Sequence, residues 1–467
     1  MQSLQGRWEL LPHNVLQQVL CLLPNTDARN FGLVCYNWRR ASYTVKRIWR
    51  SAYVDFAQDC FENHRASLHK FDKFMSLRAV QHLTVHFNSH CEGCIESLYE
   101  IATACALVNG DGLKSFSLRP SNSGLQLATS EWSSCDTMQR LCRSLLSLIC
   151  HSHQLRHLSL GLTDCFDGWQ NKLLHHLQQH RCLKSLHLAS LRSDPISSRV
   201  PFIDNRLLRC FRLTRLSLDL NQVSEELVAS LARGGLLRHL SLFVHNDVTS
   251  SMPALAIRSW AALGEIGCEA TVTLLHSPSA MQHFRSILPA DLPLTRLRMY
   301  FCQRLPPTLF DFVCARHSHR LRCLRLVESM NDIGCCCRQT LPWSRGRPDP
   351  LMMIAWMCPR LEELAVYGYC VSAHTIVGLA ALRGPELLKL EVPERCLYRD
   401  TGEGGDSAVG ADPYGKVSHW LGYRWCPIPD SQLPGAMLDS DFPWPEEAYI
   451  ESLLNDQDYD FNVGSSE

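Results

Sequence analysis

The chain has 467 residues, 46% hydrophobic and 20% charged, and its 46 Lys+Arg balance 46 Asp+Glu to a formal net charge of zero. That length exceeds one compact core, so several domains or one long repeat array are expected. No segment offers ~18 uninterrupted apolar residues; the longest near-match, Leu351 to Cys358, excludes a membrane-spanning helix of the usual kind.

At the N-terminus, Met1 to Glu9 lack a basic stretch followed by an apolar run, so no secretory signal is expected and the protein is placed in the cytoplasm and/or nucleus. Residues 8–52 then read as three short helices. Pro12 follows Leu11 at a first helical position, where a missing N–H costs nothing. Val15, Leu16, Val19, Leu20 and Leu23 fall on one broad apolar face, and Pro24 and Asn25 end the helix. Asp27 is placed to cap a second helix running through Phe31, Val34 and Cys35 toward Trp38 and Arg39. So many apolar groups in about forty residues cannot all be covered by so small a core, which implies a partner surface.

In order, Leu11-Pro12, Val15-Leu16, Val19-Leu20, Leu23, Asp27, Val34-Cys35 and Trp38-Arg39 resemble the F-box motif, with Asn14 departing from the acidic residue usual at its position. The resemblance implies docking on the adaptor Skp1. Leu11, Pro12, Val15, Leu16, Val19, Leu20, Leu23, Val34, Cys35 and Trp38 are the expected contact residues.

A helical linker is expected over 53–78 and an irregular repeat array over 79–392. The unit is L-x-x-L-x-L, in copies such as Leu155-Leu158-Leu160, Leu183-Leu186-Leu188, Leu213-Leu216-Leu218, Leu321-Leu324-Leu326 and Leu387-Leu390-Val392. A degenerate copy falls near Val272 and Leu274. Successive starts are separated by 28, 30 and 24 residues from Leu155 to Leu237, the length of a strand plus a helix. Amphipathic stretches at Ser224 to Arg233 and Ala373 to Arg383 supply helices, the latter with Gly384 as C-cap. Such units cannot bury their apolar edges alone, so an α/β leucine-rich-repeat solenoid is expected, with parallel strands on a concave face and helices outside. Ser-rich Pro120 to Asp136 and Ser329 to Pro350 read as insertions on one rim.

An F-box followed by such repeats resembles the F-box/leucine-rich-repeat class of ubiquitin-ligase receptors over about residues 8–392. Asp349-Pro350-Leu351, Ala355-Trp356, Tyr367-Gly368-Tyr369 and Leu382-Arg383-Gly384 are similar to one subfamily of it. Residues flanking the middle leucine of each strand are expected on the concave face, among them His157, Ser159, Ser185 and His187 and the arginines Arg215, Arg296, Arg298 and Arg325. These arginines are the candidate substrate-binding residues, suited to an acidic or phosphorylated protein segment.

Residues 393–467 hold 15 Asp/Glu against four Lys/Arg, a balance of −11 that leaves +11 on the first 392. From Asp430 onward there are ten acidic residues and no basic one, so an acidic, partly disordered tail is expected. The 23 cysteines read as reduced, buried thiols. Cys91-x-x-Cys94 and Cys335-Cys336-Cys337 lack a second ligand pair, so neither a metal nor a cofactor is expected.

The function implied by the resemblance is a non-catalytic substrate receptor of an SCF ubiquitin ligase, partnered by Skp1, a cullin and a RING protein. Three alternatives stay open: a non-ligase leucine-rich-repeat scaffold, a thiol-dependent enzyme using the triple-cysteine run, and a nucleic-acid binder using the basic body. No His stands beside that run to activate a nucleophile. No aromatic residues interleave the basic ones in the way that stacks bases.

Overall fold

The computed structural model describes residues 8–23, 27, 31–45, 50–56, 80–88, 92–108, 112–120, 136–160, 169–189, 212–244, 258–275, 283–302, 305–328, 330, 349–398, 413–433 and 438. They divide between two compact units, one made of Met1–Asn122, Gln126–Gly161 and Trp169–Lys184, the other of the remainder.

The first unit opens with the helix cluster. A 3-10 turn, Trp8–Leu10, leads into helix α1, His13–Leu22; a second 3-10 turn, Phe31–Leu33, precedes helix α2, Tyr36–Thr44. The expected continuous helix from Asp27 to Arg39 is therefore divided. Cys35 is extended (φ −160, ψ 175), so α2 starts afresh at Tyr36, and Asp27 does not cap it. Strand β1, Ser51–Asp55, follows across the expected domain boundary at 52, while the rest of the linker lies outside the described residues.

β1 pairs in parallel with β2, His82–Phe87; β2 pairs with β3, Ser115–Pro120; and β3 pairs with β4, His157–Ser159. The register sets Leu83, Phe116 and Leu158 in one row, each no more than 1% exposed. Helices α3, Glu92–Val108, and α4, Asp136–His151, cover that row and are followed by α5, Gln170–Leu177. Ile95, Leu98, Ile101, Ala102 and Cys105 recur at three- and four-residue steps along α3 and are buried, as are Leu141, Cys142, Leu145, Leu148 and Ile149 along α4.

In the second unit β5 (Ser185–His187), β6 (Arg215–Asp219), β7 (His239–Val244), β8 (Glu269–Leu275), β9 (Leu294–Tyr300), β10 (Cys323–Val327), β11 (Glu363–Tyr367) and β13 (Lys389–Glu391) pair in parallel with their sequence neighbours. Parallel neighbours need a crossover connection. Here α6 (Glu225–Gly234), α7 (Trp260–Glu265), α8 (Phe284–Ile287), α9 (Pro307–His317), α10 (Pro350–Met357) and α11 (Ala373–Arg383) fall in those connections.

Val272, Leu297, Leu324, Leu364 and Leu390 stand in one cross-strand row and none is more than 6% exposed. A register shift of one residue at Ala270/Thr271 brings Val272 rather than Thr273 beside Leu297. Helix ends follow sequence chemistry. The Ser224 hydroxyl accepts from Leu227 N at 3.2 Å, and Gly235 closes α6 at φ +66, where a side chain would be strained. Asp349 caps α10 through Leu351 N and also accepts from Thr375 Oγ1 of α11, at 2.8 and 2.7 Å.

Part of the acidic segment is ordered onto this unit. Helix α12, Pro413–Leu421, buries Val417 and Leu421, and the buried Trp425 indole donates to the Leu390 carbonyl at 2.9 Å. Arg395 holds Asp430 through two bonds, at 3.1 and 2.6 Å. A two-stranded pair, β12 (Val371–Ser372) with β14 (Leu397–Tyr398), completes the unit. Both rim insertions fall largely, and residues 439–467 entirely, outside the described residues.

Candidate functional site

In the N-terminal cluster Pro12 enters α1 in an extended conformation (φ −57, ψ 146), and Leu23 leaves it extended (φ −79, ψ 147), as a residue preceding proline prefers. Leu16, Leu20, Phe31, Ala41 and Val45 form its core, with Leu11, Val19, Leu23 and Trp38 packed partly buried around them. Trp38 stacks on Phe31 with ring centroids 4.1 Å apart and donates its indole N–H to the Trp8 carbonyl at 2.9 Å. Asn37 Nδ2 donates to the Glu9 carbonyl at 3.0 Å, so two bonds from α2 hold the 3-10 turn in place. Gln17 Nε2 donates to Thr44 Oγ1 at 2.8 Å and joins α1 to the end of α2.

This geometry sorts the ten expected contact residues into two groups. Leu16 and Leu20 are each 1% exposed and serve the cluster's own core, because their positions on α1 face α2 and Phe31. Leu11, Val15, Val19, Leu23, Cys35 and Trp38 are half-buried, and Pro12 and Val34 are exposed. The structure adds apolar side chains that the motif did not single out: Leu22 is 86% exposed, Leu33 and Tyr36 76%, and Trp8 and Leu10 65%. Apolar side chains left this open on a folded cluster mark a surface that another chain can cover. Their signal in the sequence was weak, since Leu22, Leu33 and Tyr36 lie beside the paired aliphatics rather than among them.

Residues 8–55 match the F-box-like family. The chain carries an F-box-like domain. It is also similar to F-box only protein 33 of Mus musculus and of Homo sapiens, 29% identical to each over 236 residues. The alignment takes in 48% of this chain and 41% of each relative, so the chain spans about two fifths of the curated relatives it matches.

The second expected site, on the sheet face, is rearranged by packing. His157, Ser159, Ser185 and His187 are 1–6% exposed rather than presented to solvent. Polar side chains on one face bond across the roughly 4.8 Å between strands and along a single strand. Ser117 Oγ meets His157 Nε2 at 3.1 Å, and Ser185 Oγ meets His187 Nε2 at 3.0 Å.

Arg296, Arg298 and Arg325 are brought together on β9 and β10, with Arg298 and Arg325 adjacent in register. Arg215 sits on β6, three strands from β9, and does not join them. The cluster is not a free basic surface. Arg296 pairs with Glu363 at 3.4 Å, Arg325 approaches Glu391 at 3.7 Å, and Arg298 and Arg325 are under a tenth exposed. Acidic residues two strands away at the same register supply these counter-charges, which periodicity along a single strand does not show.

Among the described residues no group of three His, Cys, Asp or Glu could hold a metal ion, and no helix is long and apolar enough to cross a membrane. Cys94 is buried, with its thiol directed to the Phe56 carbonyl at 3.5 Å, while Cys91 and the triple-cysteine run lie outside the described residues. Burial raises the Cys142 and Cys268 thiols to about 12, which keeps them protonated and inert at neutral pH.

Proposed function

We propose that this chain is the substrate-recognition subunit of an SCF ubiquitin ligase, docking on Skp1 through residues 8–52 and holding a protein substrate on a leucine-rich-repeat solenoid formed by the strand-and-helix units. Its contribution is to raise the effective concentration of substrate beside ubiquitin-transfer machinery carried by a cullin and a RING protein, so no residue of this chain needs to do chemistry. Ubiquitination and proteasomal degradation of the substrate follow from that placement.

The observation that supports this reading best is the open apolar surface of the F-box-like domain, where Leu22, Leu33, Val34 and Tyr36 remain 58–86% exposed although the domain has its own packed core. Folding has not consumed these side chains, and burying each on a partner contributes roughly 1.5–3 kcal/mol. The test is a pull-down of Skp1 by the wild-type chain and by a Leu33→Asp/Val34→Asp variant. Capture by the wild type and loss in the variant, with an unchanged melting temperature, support the reading; equal capture by both overturns it.

A further inference from the structure

We propose that the edge of the second unit where β8, β10, β11 and β13 begin is a docking groove for an extended acidic peptide, the segment by which the substrate of the proposed ligase is held; the assignment rests on that receptor reading. A groove of about 740 Å³ runs there beneath the preceding loops, lined by Arg320, Arg322, Arg360, Glu269, Glu362 and Leu388 among others. Its volume falls within the range of sites that enclose several ligand side chains.

The charges in the groove are not equivalent. Each carboxylate lining it is already engaged. Glu362 accepts from Arg322 at 2.7 and 2.9 Å, Glu269 accepts from the same guanidinium at 3.3 Å, and Glu386 lies 3.9 Å from Arg383. Arg320 and Arg360 line the same groove, and neither side chain has an ion pair or hydrogen bond among the described residues.

Room for one of them is built into the helix above. A methyl group on Gly264 would stand 2.7 Å from Arg320 Nη1, so the guanidinium lies against α7 in space that glycine leaves and would have to swing aside for a larger residue. Two guanidinium groups without a partner among the described residues, in a groove whose carboxylates each lie within 4 Å of another cation, favour an anionic occupant, with forked geometry suited to carboxylate or phosphate.

Apolar contacts border these cations. Leu388, in the groove wall, is 69% exposed. Arg383 donates to the carbonyls of Trp356 and Pro359 at 3.1 and 3.2 Å, which ties the end of α10 to Pro359 of the groove lining; at that helix end Trp356 is 70% and Met357 42% exposed. An exposed leucine in the wall beside two unpartnered arginines, with Trp356 and Met357 exposed a few residues before Pro359 and Arg360, has the composition of a protein-recognition surface. The occupant it fits is a peptide with acidic or phosphorylated residues next to aliphatic ones.

The test uses the full chain and fluorescence anisotropy with three labelled peptides: one alternating Glu and Leu, one with phosphoserine in place of Glu, and one alternating Lys and Leu. The wild type is expected to bind one or both acidic peptides and not the basic one, and comparing the two acidic probes tells carboxylate from phosphate. An Arg320→Glu/Arg360→Glu variant should lose at least tenfold in affinity, and so should Leu388→Glu, whose exposed position cannot disturb the core.

Absence of binding by the wild type, unchanged affinity in both variants, or stronger displacement by a uridine oligonucleotide than by unlabelled peptide overturns the proposal. Skp1 capture is measured on the same preparations. Peptide binding that depends on the two arginines, in a chain that fails to capture Skp1, overturns the ligase reading while the groove stands. Intact Skp1 capture with peptide binding indifferent to the substitutions overturns the groove alone.

Discussion

The indole N–H of Trp38 donates to the carbonyl oxygen of Trp8 at 2.9 Å, tying the chain that enters the F-box-like domain to the helix that closes it. Replacing Trp38 by Phe keeps a ring against Phe31 and removes the donor. The expected cost in stability is about 1 kcal/mol, since the freed carbonyl is near solvent and takes up water. Because Trp8 and Leu10 are then less firmly positioned, Skp1 affinity should fall several-fold, read by titration beside a urea denaturation curve.

Leu20 and Leu22 lie two residues apart on α1 with opposite fates, 1% and 86% exposed. Leu20→Ala should destabilise the domain by about 2–5 kcal/mol through a lost core contact and the cavity left behind. Leu22→Asp should leave stability within about 0.5 kcal/mol and weaken partner binding instead. Paired denaturation and Skp1-binding measurements separate the two, and a stability loss at Leu22 matching that at Leu20 would contradict the assignment.

Gly368 follows β11 at φ +77, and a Cβ there would stand 2.2 Å from the Glu328 carbonyl oxygen. Backbone cannot yield as a flexible side chain can. Gly368→Ala should cost about 3 kcal/mol or more, from the left-handed strain and the clash together. A melting temperature close to wild type would show that this approach of β10 and β11 is not required.

His317, at the end of α9, is 1% exposed, and burial holds its pKa at about 4, with His319, Arg320 and Arg316 acting in the same direction and a hydrogen bond to the Leu288 backbone opposing them. The native state thus keeps this ring neutral where the unfolded chain, with a pKa near 6.5, takes up a proton. Its contribution is fully present above pH 6.5 and is lost as pH falls from 6.5 toward 4, by roughly 3 kcal/mol at most. Unfolding curves of His317→Met should show a shallower loss across that window than wild type; parallel pH profiles would contradict it.

Trp425 is 5% exposed, and its indole N–H reaches the Leu390 carbonyl in β13. Trp425→Ala should lower stability by about 3–5 kcal/mol, measured by denaturation, because β13, the edge strand of the long sheet, loses its cover.

Much of the fold was legible in one repeated pattern. L-x-x-L-x-L marks β2 to β11 and β13, and its leucines are the buried row of each unit, because side chains alternate across a strand and only apolar groups tolerate the covered face. β1, β12 and β14 carried no such mark. β12 and β14 have two residues each and β1 buries only Val54, so pairing with a neighbour rather than hydrophobic alternation creates them. The break at Cys35 was equally hidden, since the apolar positions on either side fit one helix as well as two.

Amino-acid order by itself determined where the strands of the repeated pattern fall, and it placed an F-box-like segment ahead of them, for both are set by local period and punctuation. Which groups remain available was decided only by tertiary packing. Leu20 is covered and Leu22 open, and Arg325 is sequestered beside Glu391 while Arg360 stays exposed at a groove. Exposure and charge compensation depend on residues that the chain brings in from distant positions, and no window along the sequence contains them.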